Sequence, residues 1–174
     1  QLHRRQRQMC IRDRIRGYHV GGRSLLWGRQ VYRWSKQDFE ANAKEGVSID
    51  WPIRYSDIEK WYDHVENFIG VSGMSEKLPQ LPDGQFLPAM EMNCVEKDFR
   101  KNLFEKFGRT YTIGRVAHTT KSHNGRGPCQ SRNLCIRGCP YGAYFSSNSS
   151  TLPVAEATGN MTLKPNSIVH SIIY

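Results

Sequence analysis

No stretch of this 174-residue chain approaches the roughly 20 consecutive apolar residues that a membrane-spanning helix needs. The amino end is basic, but no apolar segment follows it, so no secretory signal peptide is visible. The sequence contains no G-x-G-x-x-G, no Walker loop and no G-x-S-x-G, and its histidines show no H-E-x-x-H spacing. Those absences exclude the phosphate fingerprint of a dinucleotide fold, an NTPase loop, a hydrolase nucleophile elbow and a zincin helix from the residues present. No internal repeat or low-complexity tract occurs. Acidic residues are few, 16 against 25 Lys and Arg, which leaves a formal charge of +9.

That charge is unevenly spread. Residues 1–16 hold six arginines and one aspartate, a net +5 of the total. Such a run suits a nucleic-acid-binding arm. It lacks interleaved aromatics, however, and Arg7-Gln8-Met9-Cys10-Ile11-Arg12-Asp13-Arg14 resembles translated adapter read-through. Residues 1–16 are therefore read as a non-native or disordered basic segment, and no nucleic-acid partner is expected.

Cysteine is also sparse, and its placement is informative. Of the five, Cys129, Cys135 and Cys139 fall within eleven residues, as C-x5-C-x3-C-P, while Cys10 and Cys94 lie apart. An odd number so crowded does not resemble a disulfide framework. Thiolates are soft ligands that favour zinc or iron–sulfur centres, and a proline after the last cysteine also occurs in ferredoxin runs. Three ligands are one short of the usual four, so the loop suits a three-iron cluster or one that borrows Cys94 or His123. A set of buried free thiols, or one disulfide with a spare, fits the same spacing.

The stretch that organises the chain is Val20-Gly21-Gly22-Arg23-Ser24-Leu25-Leu26-Trp27-Gly28-Arg29-Gln30. Paired glycines allow close backbone approach. Exposed amides with Arg23 and Arg29 nearby suit an anion such as a pyrophosphate. Leu25, Leu26 and Trp27 supply an apolar wall. Together they suit a large flat cofactor with a charged tail, or else a tight turn before a core strand.

Beyond it, Val31–Trp34 reads as extended. Ser35 and Asp38 cap a helix over 36–45 that stops at Gly46. Ser56 and Glu59 form a capping box for a helix over 57–69, whose Ile58, Trp61, Tyr62, Val65, Phe68 and Ile69 stripe reads as core. His64 lies on it, exposed. Residues 74–93 carry three prolines and no period, the mark of a long crossing or lid segment. A helix over 95–107 ends at Gly108. Strands are expected at Tyr111–Val116 and Ser167–Tyr174, with a short helix between, from Thr151 to Gly159. His118 and His123 flank the polar loop that leads to the cysteines. The last strand stops without a cap, and the chain is read as a fragment.

The blocks Gly21-Gly22-Arg23-Ser24-Leu25-Leu26-Trp27-Gly28, Asp38-Phe39, Trp51-Pro52-Ile53 with Tyr55, and Trp61-Tyr62 through Gly73 resemble a glucose–methanol–choline (GMC) oxidoreductase. The nearest likeness is to gluconate 2-dehydrogenase and sugar dehydrogenase large subunits, from about Gly17 to Tyr174. The resemblance implies an α/β fold, as a fragment an α+β mixture. It would comprise part of a GMC-type FAD-binding domain with an incomplete Rossmann-like core, plus part of the substrate domain. It divides the chain into an FAD-contacting segment (17–50), a helical and irregular segment over flavin and substrate domain (51–125), and the cysteine loop with its return to the FAD domain (126–174).

It further implies an enzyme that oxidises an alcohol, sugar or polyol hydroxyl by hydride transfer to FAD. Gly21, Gly22, Arg23, Ser24, Leu26 and Trp27 would lie along the cofactor, and Val169 near its adenine end. Leu26 stands where pyranose-oxidase relatives carry a flavin-linked histidine, so non-covalent FAD is expected. In several relatives a similar cysteine loop is associated with an iron–sulfur cluster, which assigns Cys129, Cys135 and Cys139 as metal ligands. A cytochrome or small subunit would take the electrons, in the periplasm or at a membrane. The family's late histidine pair is absent, so no catalytic base is named. The alternatives are a small iron–sulfur or metal-binding electron-transfer module and a basic nucleic-acid-binding protein.

Overall fold

The structure, a computed structural model, describes residues 17–173; the basic arm of residues 1–16 and Tyr174 lie outside the described residues. Four α-helices occur among the described residues: α1 (Lys36–Glu45), α2 (Tyr55–Ile69), α3 (Cys94–Phe107) and α4 (Thr151–Ala157). One-turn 3-10 helices lie at Gly22–Leu25, Cys135–Arg137 and Ser147–Ser149. The remainder is extended or irregular, paired only through isolated bridges.

Local capping accounts for the helices. Ser35 precedes α1, the Asp38 carboxylate accepts the Ser35 amide proton at 2.6 Å, and Gly46 closes the helix at φ 66°. At α3, Asn93 and Glu96 satisfy each other's amides at 2.9 and 2.8 Å, and Gly108 closes at φ 62°. α2 begins two places earlier than expected. Arg54 is its N-cap, and Asp57 rather than Glu59 accepts the Arg54 amide proton, at 2.7 Å. The first unpaired amide belongs to Arg54 because Tyr55 is already helical, which puts Asp57 at the third helical position.

The buried face of α2 also differs from the apolar stripe. Glu66 and Ile69 are buried, whereas Trp61 and Val65 face solvent at 58% and 49% exposure. On α3 no side chain is buried, and Val95, Phe99 and Phe107 are all exposed. α1 is held from one side: Phe39, 2% exposed, packs among Trp34 and Trp51 with ring centroids within 6 Å.

The centre of the molecule is the segment from Arg115 to Thr119. On one edge it pairs first with Arg29 and Val31, then with Ala143 and Phe145; on the other, Val116 exchanges both backbone bonds with Ser72, and Leu87 lies beyond. Its inward side chains alternate, Arg115, Ala117 and Thr119 each being 1% exposed or less. The expected strand at Tyr111–Val116 is thus an extended segment whose regular pairing begins at its end. Residues 167–173 make no bridge, and Ile168, Val169, Ile172 and Ile173 are exposed. A strand needs a partner to fix it, and none faces this segment among the described residues.

The apolar core is small: Ile69, Val71 and Ala117, with Trp27, Val31, Phe68, Phe86 and Phe145 against it. Much of the remaining interior is charged. Arg29, Arg33, Arg115 and Arg126 are each 4% exposed or less.

Candidate functional site

The paired glycines open the first 3-10 turn. Gly21 sits at φ 95°, and a Cβ there would come within 2.3 Å of the Asn148 Oδ1 atom. Its closeness therefore serves the Ser147–Ser149 turn, whose Asn148 also donates to the Val20 carbonyl at 3.0 Å. Ser24 ties the same two turns, donating to the Gly21 carbonyl at 2.6 Å and accepting the Ser147 amide proton at 2.9 Å. Gly28, by contrast, has open space where a Cβ would stand.

Arg29 turns inward, away from the surface position a pyrophosphate contact needs. Its guanidinium donates to the carbonyls of Ser24 (3.0 Å), Trp27 and Phe145 (2.8 Å), and lies 3.7 Å over the Tyr144 ring. Burial pulls its pKa below the ordinary arginine value. Trp27 packs edge-on against Phe145 at 5.9 Å and serves the core. Arg23 is exposed. Gly21 and Val169 line a shared open cleft of about 830 Å³, with Leu152 and Leu163 on its wall.

The cysteine loop is delivered by a hairpin. Asn124 and Gly125, at φ 47° and 75°, turn the chain so that His123 and Arg126 exchange both backbone bonds. Thr119 then fastens the return strand, its hydroxyl donating to the Gly127 carbonyl at 2.7 Å and its carbonyl accepting from the Cys129 amide at 2.8 Å. Arg126 secures the far end. It donates to the carbonyls of Gly142 (2.8 Å), Ala143 (3.2 Å) and Ile69, the last residue of α2.

Cys129, Cys135 and Cys139 are free thiols, partly buried, and all three line one narrow cavity of about 30 Å³ with His118 and Tyr144. No three His, Cys, Asp or Glu side chains among the described residues stand close enough to hold a single metal ion. What the loop offers a cluster is its donor type, three soft thiols on one cavity. His118 sharpens it: both ring nitrogens are buried without a hydrogen-bond partner, an orphaned pair in a mostly apolar wall. Burial, then the charges of Arg29 and Arg126, lower its pKa and keep the imidazole neutral.

The two donors expected to complete the loop lie elsewhere. Cys94 begins α3, exposed, and His123 bonds the Asn67 carbonyl through Nε2. A second cavity, about 250 Å³, lies behind Cys135 and Cys139 and is lined as well by Leu26, Arg29 and Tyr144. The glycine block and the cysteine loop, about 100 residues apart in sequence, therefore share a wall. Tyr144 is the member of this site that the sequence did not single out, while Arg29 was expected as an anion contact and His118 only as a flank of the loop.

No protein-family model matches the chain. It is similar to the fructose dehydrogenase large subunit of Gluconobacter japonicus, 27% identical over 157 residues, which cover 88% of this chain and 28% of that protein. The 2-methyl-1,2-propanediol dehydrogenase of Mycolicibacterium austroafricanum is 25% identical over 81% of the chain and 26% of its own length. Paromamine 6'-oxidase of Streptomyces fradiae is 25% identical over 84% of the chain and 27% of its length. The chain thus spans about a quarter of the curated relatives it matches. No helix among the described residues is long and apolar enough to cross a membrane. The chain is a distant relative of dehydrogenases and oxidases of alcohols and sugars, a likeness consistent with a GMC-like oxidoreductase.

Proposed function

We propose that this chain is the part of an FAD-dependent, GMC-type oxidoreductase that borders the flavin on one side and holds an iron–sulfur cluster on the other. The whole enzyme would oxidise the CH–OH group of an alcohol, sugar or polyol. One observation carries the reading: Leu26, from the segment expected to touch flavin, lines the same 250 Å³ cavity as Cys135 and Cys139.

When bound, FAD supplies the hydride acceptor and the cluster a one-electron carrier. The chain's own residues have distinct tasks. Leu26 provides an apolar, water-excluding wall and has no nucleophilic atom, so the flavin is held without a covalent bond. The cleft between Gly21 and Val169 suits the adenine end. Cys129, Cys135 and Cys139 act as thiolate ligands, with His118 as the polar group facing them. No residue here is assigned as catalytic base. Electrons would leave toward a cytochrome or small subunit, and the name of the Gluconobacter japonicus relative, a large subunit, supports such a partner.

The test is the intact protein purified without oxygen. Flavin absorbance together with iron and acid-labile sulfide is expected. Iron and sulfide without flavin would favour a small electron-transfer module, and the absence of both would remove the proposal.

A further inference from the structure

Arg29 and Arg126 are buried at 2% and 4% exposure, and neither lies within ion-pair distance of a carboxylate among the described residues. This is unusual company for a guanidinium. A buried charge is costly unless an opposite charge meets it. The other two buried arginines obey that rule, Arg33 pairing with Glu66 and Arg115 with Asp83. Arg29 and Arg126 bond only carbonyls, which supply partial negative charge. For Arg126 the α2 carbonyl end adds a little more through Ile69.

Both flank the cysteine loop. Arg29 lines the cavity behind Cys135 and Cys139, and Arg126 holds the carbonyls of Gly142 and Ala143 on the segment that leaves the loop. The chain around the loop is basic. Residues 106–155 contain seven Lys and Arg and no Asp or Glu. The three thiols therefore lie in a stretch of one charge sign.

We infer that Arg29 and Arg126 are the counter-charges of an anionic iron–sulfur cluster held by the thiolates of Cys129, Cys135 and Cys139, and that they raise its reduction potential. The assignment rests on the cluster reading of the loop. Its logic is electrostatic: three thiolates make the assembled group anionic, and each electron added makes it more so. A fixed positive charge in a low-dielectric wall favours both steps. Arg29 is further held in place by Tyr144 beneath it, at 3.7 Å.

The test uses intact protein purified without oxygen, as wild type and as Arg29→Gln, Arg126→Gln, Arg29→Lys and Arg126→Lys. Iron and sulfide content and an EPR-monitored redox titration are read for each. Each Gln variant is expected to lower the one-electron reduction constant about tenfold, which is a fall of about 59 mV. The Lys variants keep the charge and should stay within about threefold of wild type. Full iron content with unmoved potentials in the Gln variants would overturn the assignment while leaving the cluster in place. A wild type without iron or sulfide overturns the cluster reading, and the assignment with it. If circular dichroism shows the Gln variants unfolded, the Lys variants decide: retained potentials support the charge role and a tenfold fall overturns it.

Discussion

Arg33 and Glu66 form a two-pronged ion pair sealed inside the protein, with Nε to Oε1 at 2.9 Å and side chains 1% and 2% exposed. Nη2 of Arg33 donates to both Glu66 and Asp63, and the remaining nitrogen, Nη1, donates to the Tyr55 hydroxyl at 3.1 Å. The pair joins the extended segment after the glycine block to the inner face of α2. Removing a buried partner altogether costs on the order of 3–5 kcal/mol, but without Glu66 the Arg33 guanidinium keeps the half-exposed Asp63. Glu66→Gln should therefore lower stability by less than that in urea unfolding, and Arg33→Met, which strands Glu66, by more. The double change Arg33→Met with Glu66→Leu should cost less than either single change; an additive loss would contradict the pairing.

Gly84 is the lid over this pair. A Cβ there would fall 2.1 Å from Glu66 Oε2 and 2.4 Å from Arg33 Nη2. Gly84→Ala forces both partners to shift, and overpacking of this kind costs about 1–3 kcal/mol. The loss should shrink when Glu66 is already Gln, because the two sites share a contact. Equal losses in both backgrounds would rule out the clash.

The same network predicts an alkaline response. Burial, partly offset by the Arg33 hydrogen bond and charge, raises the Tyr55 pKa above its ordinary value near 10. Below pH 10 the hydroxyl is neutral in both states, and its contribution is complete. As pH rises past 10 the unfolded chain loses the proton first, so stability falls until the folded group also ionises. Unfolding midpoints measured from pH 8 to 11 should show that decline, and Tyr55→Phe should flatten it.

Cys135 lines both hollows beside the loop. In the intact, anaerobically purified protein, Cys135→Ser should lower iron and sulfide to less than half of wild type. Unchanged metal content excludes this thiol as a ligand.

Flavin attachment gives a quick assay. Leu26 offers no atom for a covalent link, so denaturing the intact flavoprotein with acid should release its FAD into the supernatant. Flavin that stays with the precipitated chain would contradict the role given to Leu26.

The sequence was most legible where a short-range rule acts alone. Ser35 with Asp38 and the glycines at 46 and 108 set helix limits through backbone amides and φ angles, which need no distant partner. It was least legible where burial depends on what comes opposite. Trp61 looks like core by spacing, yet α2 turns Glu66 inward because Arg33 awaits it there. Arg29 looked like a surface cation beside the glycines, but its segment alternates, with Arg29, Arg33 and Ser35 all pointing inward. The Asn124-Gly125 turn that delivers the loop also obeys a local rule, although the polar stretch around it was expected only as a loop. The meeting of Leu26 with Cys135 was not readable, since no local rule joins segments that far apart.

The Arg115–Thr119 segment takes partners from both sides of itself, Arg29 and Val31 long before it and Ala143 and Phe145 after. Closing such long loops is slow, because chain entropy is lost before the contacts form. During synthesis the earlier pairing becomes available first, and Phe145 emerges only after all three loop cysteines have been made. The thiols are thus born before the wall that shelters them. Refolding followed with a thiol reagent should show Cys129, Cys135 and Cys139 losing reactivity in the last kinetic phase, after α1 and α2 have formed. Metal delivery would then have a window that closes with the final strand.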